Sequence, residues 1–187
     1  MDKNKIEKAV ELFLEGIGEN PNRPGLKDTP KRVARMCEDI FGGIGKEPKE
    51  ELIILGGEKH DEIILLRDIP LYSVCEHHLL PFLGRAHVAY IPKGGRITGI
   101  SKLARVVDII SRRPQIQERL TTQIADAIND ILQPRGVMVM IEAEHLCMSI
   151  RGVKKPGIRT VTSVVRGIFR ENPATRAEAI SFIKGTK

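Results

Sequence analysis

The chain of 187 residues is poor in aromatic side chains, with no tryptophan, two tyrosines and five phenylalanines. Proteins that bind single-stranded nucleic acid stack bases on such rings, so the composition disfavours that class. The sequence also lacks an apolar run near the roughly 18 residues that a membrane span needs. Its first residues lead into an amphipathic pattern and not into a signal-peptide core. We therefore expect a cytoplasmic protein with no membrane and no nucleic-acid partner.

Cysteine is scarce as well, and the three thiols, Cys37, Cys75 and Cys147, are too few for a disulfide scaffold. They remain available for metal binding, catalysis or burial. Positive charge is in excess, because 30 Lys and Arg against 24 Asp and Glu give a net charge of +6. That balance favours an anionic partner such as a phosphorylated small molecule, although a solvated basic surface would give the same count.

Periodicity divides the chain into a helical beginning and a mixed remainder. It predicts helices at residues 5–17 and 29–41, the second beginning at Thr29 and Pro30, with Cys37 on its apolar stripe. The other elements are expected as follows: strands at 62–69, 83–91, 136–150 and 158–169; a loop at 70–81; and helices at 101–113, 116–131 and 172–183. Strands adjacent in sequence usually pair antiparallel, so the order indicates an α+β fold.

Two short segments carry residues that bind metals. Cys75 and His78 are three residues apart, a spacing that lets both side chains reach one ion. Alternation along the strand predicted at 136–150 would place the following residues on one face: His145, Cys147, Ser149 and Arg151. Cys and His donors favour zinc over Mg²⁺ or Ca²⁺, and three ligands leave a position open, as in catalytic zinc sites. A closed Cys2His2 site with His77 or His145 as fourth ligand is the alternative.

Basic residues mark a candidate anion site at the start of a predicted helix. Ser101, expected to cap that helix, stands beside Lys102 and near Arg105. Further cations are Arg112, Arg113 and Arg151. Ordinary capping and solvated cations would explain the same pattern. Residues 94–102 do not form a Walker motif, so phosphoryl transfer is not expected. Gln117 and Glu118 are either an exposed helical pair or a place where a carboxylate accepts hydrogen bonds from a guanine edge.

Taken in order, these segments resemble GTP cyclohydrolase I across nearly the whole chain. The blocks that carry the resemblance are 28–34 (DTPKRVA), 73–78 (SVCEHH), 88–92 (VAYIP), 99–105 (GISKLAR), 113–120 (RPQIQERL) and 145–152 (HLCMSIRG). The resemblance implies a tunnelling fold, in which two helices back an antiparallel sheet. It implies an N-terminal helical extension over residues 1–58 and a catalytic domain over 59–187. It also implies a decamer of two pentamers, with active sites at subunit interfaces.

The same resemblance implies a role for each matching residue. Cys75, His78 and Cys147 would bind one Zn²⁺ per subunit. His77 and His145 would be catalytic, with Ser101 as a proton relay. Guanine would be recognised by Gln117 and Glu118, and the ribose and triphosphate by Lys102, Arg105, Arg151 and Arg32. The implied reaction opens the purine ring of GTP at C8, releases formate and forms 7,8-dihydroneopterin triphosphate.

Two other functions are compatible with parts of this pattern. A zinc module that binds nucleic acid would have four protein ligands and no turnover. A tunnelling-fold relative, such as a nitrile reductase or a pterin synthase, would catalyse different chemistry. The Cys-x-x-His pair with a distant Cys argues against those relatives.

Overall fold

The computed structural model describes residues 1–56 and 59–185. The chain forms two compact units, Met1–Gly42 and Gly43–Lys187. The predicted boundary after residue 58 lies beside residues 57 and 58, outside the described residues, and stays a prediction. No helix within the described part of the chain is long and apolar enough to cross a membrane.

The first unit consists of two helices, α1 (Lys3–Gly16) and α2 (Thr29–Ile40). The Asp2 side chain accepts a hydrogen bond from the backbone N–H of Lys5 and so caps α1. Pro30 stands in the first turn of α2, where its missing N–H costs no helical hydrogen bond. Both helices were predicted, and Cys37 is buried on α2 as expected.

The second unit is built on a five-stranded sheet. Its elements in chain order are β1 (Ile54–Leu55), β2 (Ile64–Cys75), β3 (Pro81–Ile91), β4 (Ile97–Thr98), α3 (Ile100–Ser111), β5 (Pro114–Gln115), α4 (Gln117–Leu132), β6 (Gly136–His145), α5 (Leu146–Ser149), β7 (Arg159–Gly167), α6 (Ile168–Glu171) and α7 (Pro173–Lys184). A 3-10 turn at Pro48–Glu51 precedes them, and β1 pairs with β4. The main sheet has the order β5-β2-β3-β6-β7, antiparallel except where β5 runs parallel to β2.

Two helices cover one face of this sheet. The apolar stripe of α4 recurs every four residues at Leu120, Ile124, Ile128 and Leu132 and is fully buried. It joins the inward side chains of α3 and of strands β3 and β6 in one core. A smaller cluster on other residues of the sheet includes Phe169 of α6 and Ala179 of α7. The predicted α+β class, an antiparallel sheet backed by two helices, is confirmed.

The structure corrects three element boundaries, two of them at the candidate site. The loop predicted at 70–81 is mostly strand, because β2 continues to Cys75 after a register shift between Leu66 and Ile69. The strand predicted at 136–150 ends at His145, where the chain turns into α5. Alternation therefore does not place Cys147, Ser149 and Arg151 on one strand face, as predicted. The last strand likewise ends at Gly167, where α6 begins.

Candidate metal centre and substrate residues

Cys75 and His78 are brought together by the tight turn that follows β2. The backbone N–H groups of His78 and Leu79 donate to the carbonyl oxygen of Cys75 over 3.3 and 2.8 Å. Leu79 adopts a φ of 53°, in the left-handed region, which lets the chain reverse into β3. Within this turn Cys75 Sγ lies 3.8 Å from His78 Nδ1. The predicted three-residue pair thus converges on one point.

Cys147 joins this pair from a strand that ends at the same end of the sheet as the turn. Strand β6 pairs with β3 so that His145 lies opposite Phe82, and α5 then carries Cys147 back toward the turn. The ligand atoms of Cys75, His78 and Cys147 all lie within 4.8 Å of one another. The two thiols are buried and His78 is exposed. Among the described residues, neither His77 nor His145 belongs to this group.

The chemistry of the group suits a borderline metal ion. Burial, together with the nearby Cys75 thiol, raises the pKa of Cys147. A cation bound between the two sulfurs would compensate the charge of the thiolates and reverse this effect, as metal coordination does. Two thiolates and an imidazole are donors that zinc prefers over hard, oxygen-seeking cations. The residues present therefore fit a zinc ion with one open position.

His77 lies on the same turn but is exposed. Its Nε2 lies 3.8 Å from a carboxylate oxygen of Glu76, and 64% of its side chain is accessible. Glu76 forms an ion pair with Arg119, and that hydrogen bond lowers the pKa of the Glu76 carboxyl. Arg119 also donates to Gln115 Oε1 over 3.0 Å, which ties the turn to the segment before α4. The sequence alone did not predict the Glu76–Arg119 pair, although the two residues lie in segments 73–78 and 113–120, which carry the family resemblance.

His145 is partly buried and held on two sides. Its Nε2 lies 2.8 Å from Gln117 Oε1, and its ring stacks on Phe82 at a centroid distance of 4.6 Å and an angle of 9°. Burial lowers the pKa of His145, and the charge of Glu118 partly opposes this shift. Gln117 is only 1% exposed, so it is not half of an exposed helical pair. Glu118, the next residue on α4, is exposed.

The predicted anion-binding residues do not form one cluster: Lys102 and Arg105 lie near Glu51, and Arg151 lies near His78. Helix α3 begins at Ile100 with Gly99 as its N-cap, so Ser101 lies in the first turn and is not the cap that we predicted. Lys102 Nζ and Arg105 Nη1 lie 3.6 and 3.4 Å from Glu51 Oε2. Arg151 Nη1 lies 3.3 Å from His78 Nε2. This cation is therefore beside the metal group, that is, the side chains of Cys75, His78 and Cys147.

The remaining arginines have local partners. Arg112 forms an ion pair with Asp108 at 3.1 Å. Arg113 donates to the backbone oxygen of Gly43 over 2.8 Å and also to that of Lys46, so its guanidinium holds a loop in place. Arg32 belongs to the first unit, where it lies 3.6 Å from Asp28.

Comparisons with a family model and with individual proteins indicate the same family. The family model described as GTP cyclohydrolase I matches residues 6–184. A protein named GTP cyclohydrolase 1 from Pelotomaculum thermopropionicum is 65% identical over 184 residues, which are 98% of each chain. Another of that name from Carboxydothermus hydrogenoformans is 64% identical over 98% of this chain and 95% of its own.

Similarity to solved structures is weaker. The archaeosine synthase QueF-Like in its apo form covers 58% of this chain and 97% of its own, with a TM-score of 0.46 and 17% identity. The assignment therefore rests on the sequence matches, which extend over almost every element described above. On that basis, the chain belongs to the GTP cyclohydrolase I family.

Proposed function

We propose that this chain is a zinc-dependent GTP cyclohydrolase I. It hydrolyses the purine ring of GTP at C8, releases formate and forms 7,8-dihydroneopterin triphosphate, the first step of tetrahydrofolate and pterin biosynthesis. One observation carries the proposal: a chain of this family has two buried thiols and an imidazole with their ligand atoms within 4.8 Å. We place the reaction in the cytoplasm, where thiols stay reduced and able to bind a metal.

Cys75, His78 and Cys147 would hold one zinc ion per chain. When bound, zinc supplies Lewis-acid chemistry that activates water at neutral pH. The three side chains leave a fourth position open to solvent or substrate. Local backbone hydrogen bonds in the short turn after β2 hold two of these side chains close together, and the third would come from α5.

His77 and His145 would move the protons of ring opening. Position C8 lies between two ring nitrogens, and a proton donated to N7 makes that carbon electrophilic. Burial lowers the pKa of His145, which favours the neutral ring that can accept a proton. His77 is exposed on the turn beside the three proposed ligands. Ser101 would relay a proton near the ribose.

Charged residues would bind the rest of the substrate. The exposed carboxylate of Glu118 would accept hydrogen bonds from the guanine N–H groups, with Gln117 beside it. Lys102, Arg105 and Arg151 would bind the triphosphate, with Arg32 of the N-terminal extension (residues 1–58) as a further ligand. The triphosphate is not cleaved, so these cations anchor the nucleotide and orient it. The catalytic domain would comprise residues 59–187.

The chain would act as a decamer of two pentamers, with active sites between subunits. Two features support assembly. Strand β7 is an edge of the sheet, hydrogen-bonded on one side to β6 in the described part of the chain. Large apolar side chains are also exposed on the sheet strands, including Tyr72 at 70% and Val161 at 57%.

The decisive experiment is incubation of the purified protein with GTP, followed by assay of formate and of a fluorescent oxidised pterin. We expect both products in equal amounts, with the triphosphate intact. X-ray absorption of the same sample should show two sulfur ligands and lighter atoms in the remaining positions. Formate without pterin, or neither product from zinc-loaded protein, would contradict the proposal. Four protein ligands on the zinc would favour a structural site instead.

A further inference from the structure

We propose that Gln117 is a positioning residue, whose side-chain amide holds His145 as the tautomer protonated on Nε2. The inference rests on the proposed function, because it assigns the atom through which His145 would act. It changes the role of Gln117, which the family resemblance places among the residues that recognise guanine. The amide side chain faces the protein interior, and its hydrogen-bonding groups are occupied there.

The partners of the amide decide which end is nitrogen and which is oxygen. One end lies 3.1 Å from the backbone oxygen of Ile141 and 3.0 Å from that of Thr160. Backbone carbonyls only accept hydrogen bonds, so the end that meets two of them must be the NH2 group. The other end is then the carbonyl oxygen, which lies 2.8 Å from His145 Nε2. The orientation of the amide is thus assigned from its hydrogen-bond partners.

Two threonine hydroxyls support the same orientation. Thr121 Oγ1 donates to the backbone oxygen of Gln117 over 2.7 Å, which uses its only hydrogen. Its 2.7 Å contact with Thr162 Oγ1 must therefore be donated by Thr162. The Thr162 oxygen can then only accept at its 3.1 Å contact with the Gln117 NH2 group, whose two hydrogens are shared among three acceptors. Donation thus runs from the Gln117 NH2 group to Thr162, from Thr162 to Thr121, and from Thr121 back to the Gln117 backbone oxygen. A flipped amide would place its oxygen against the Thr162 oxygen and break this sequence.

The consequence for His145 follows from the same rule. An amide oxygen accepts only, so the ring atom facing it must carry a hydrogen, and Nε2 is an N–H donor. In the neutral imidazole the lone pair is then on Nδ1. Stacking on Phe82, at 4.6 Å and 9°, limits rotation of the ring out of this arrangement. His145 would therefore take up a proton at Nδ1 during the reaction.

The first test needs no substitution. We would label the zinc-loaded protein with 15N-histidine and record magic-angle-spinning spectra at about pH 8, above the ordinary histidine pKa. The chain has five histidines, and a His145→Asn sample identifies the signals of residue 145. We expect a pyrrole-type Nε2 and a pyridine-type Nδ1. A protonated Nδ1 in the wild-type protein would overturn the inference, whatever the protein does to GTP.

The second test uses Gln117→Met, which keeps the length of the side chain and removes the amide. For the tautomer its matched control is Gln115→Met, since Gln115 is equally buried at 1% but binds Ile110, Gln123 and Arg119 instead of His145. Because the Arg119 contact ties Gln115 to the turn that carries Cys75, this control is compared by the His145 spectrum and not by rate. Only Gln117→Met should give His145 a mixture of tautomers. Its kcat should fall about 10- to 100-fold, the usual cost of losing a partner that orients a functional histidine, with KM for GTP little changed.

The KM and kcat of Gln117→Met can also contradict the inference. A raised KM with unchanged kcat in Gln117→Met would overturn the inference and return Gln117 to guanine recognition. Glu118→Gln provides the reference for that pattern, because we place its carboxylate on the guanine. If wild-type protein releases no formate, the proposed function fails, while the tautomer of His145 still decides the role of Gln117.

Discussion

At the scale of single residues, neighbours in the sequence of the candidate site differ in their surroundings. Cys75 and His78 converge because a turn of backbone hydrogen bonds places residues three apart on one side. His77, between them, points elsewhere and is largely exposed. Spacing within the motif therefore brings Cys75 and His78 together, while α5 adds Cys147 and the surroundings of His77 set it apart from them.

Removal of any one ligand should cost the metal. Cys75→Ala, His78→Ala and Cys147→Ala each leave two protein donors, so zinc content should fall well below one per chain and formate release should be abolished. Cys37→Ala is the matched control, since Cys37 is a buried thiol of the first unit. It should keep its zinc. Metal analysis of dialysed protein measures the effect, and a ligand variant with full zinc would remove that residue from the set.

His77→Ala should separate catalysis from metal binding. The variant should retain zinc at wild-type stoichiometry and still bind GTP, because the residue lies outside the metal group. Its rate should fall by about 100-fold or more, the usual contribution of one general acid or base. Added imidazole should restore part of the rate. Loss of zinc from His77→Ala, with retention in His78→Ala, would reverse the two assignments.

At the scale of elements, the ends of strands shape the site more than their middles do. Strand β6 stops at His145, and one helical turn then carries Cys147 to the metal group. Strand β2 passes an irregularity at which Asp68 has a φ of 59°. There the backbone N–H of Asp68 donates to Nδ1 of His87 over 3.2 Å. A side chain of β3 thus secures the bulge that lets β2 reach Cys75.

This contact predicts a pH dependence of stability. Burial lowers the pKa of His87, so the unfolded chain binds more protons than the folded one below the unfolded pKa of about 6.5. Stability is therefore full above that pH and falls as pH drops toward the folded pKa. Each unit by which the pKa is lowered corresponds to about 1.4 kcal/mol.

Urea unfolding of wild-type protein and of His87→Gln, at equal concentration, measures this effect. The wild type should lose more stability than His87→Gln between about pH 7.5 and pH 5.5, a range that spans the ordinary histidine pKa. His60→Gln removes an exposed histidine and should behave like the wild type. Parallel losses in all three proteins would show that His87 does not titrate in this range.

At the scale of the whole molecule, the surface of the described sheet bears on assembly. Large hydrophobic side chains are exposed on the sheet strands, at Tyr72, Leu83 and Val161. Burial of such surface between copies is the usual reason for symmetric assembly. In the part of the chain that the structure describes, β7 pairs with a strand on one side only, so its other edge can serve the same purpose.

For the proposed decamer, light scattering after size exclusion should give a mass ten times the 20.8 kDa of one chain. Tyr72→Lys should lower this mass, because a charge would replace an apolar contact. If active sites lie between subunits, formate release should fall with it. A wild-type protein that runs as a monomer and turns over GTP would contradict both the assembly and the shared sites.

Local pattern was enough to predict much of this protein. Both N-terminal helices, the α+β class and the convergence of Cys75 with His78 depend on residues within a few positions of one another, where periodicity and turn geometry act directly. The order of motif blocks also indicated the family, which the sequence matches confirmed. These features need no knowledge of how distant segments meet.

Only the tertiary structure decided how the remaining side chains are used. The partner of His145 is Gln117, 28 residues away, and the partner of Glu76 is Arg119, 43 residues away. Sequence reasoning placed Gln117 at the surface or on guanine because helical position alone does not show what packs above it. Strand β6 likewise ends where its pairing with β3 and β7 ends. Such outcomes depend on contacts between distant elements, and these form only when the sheet and helices have packed.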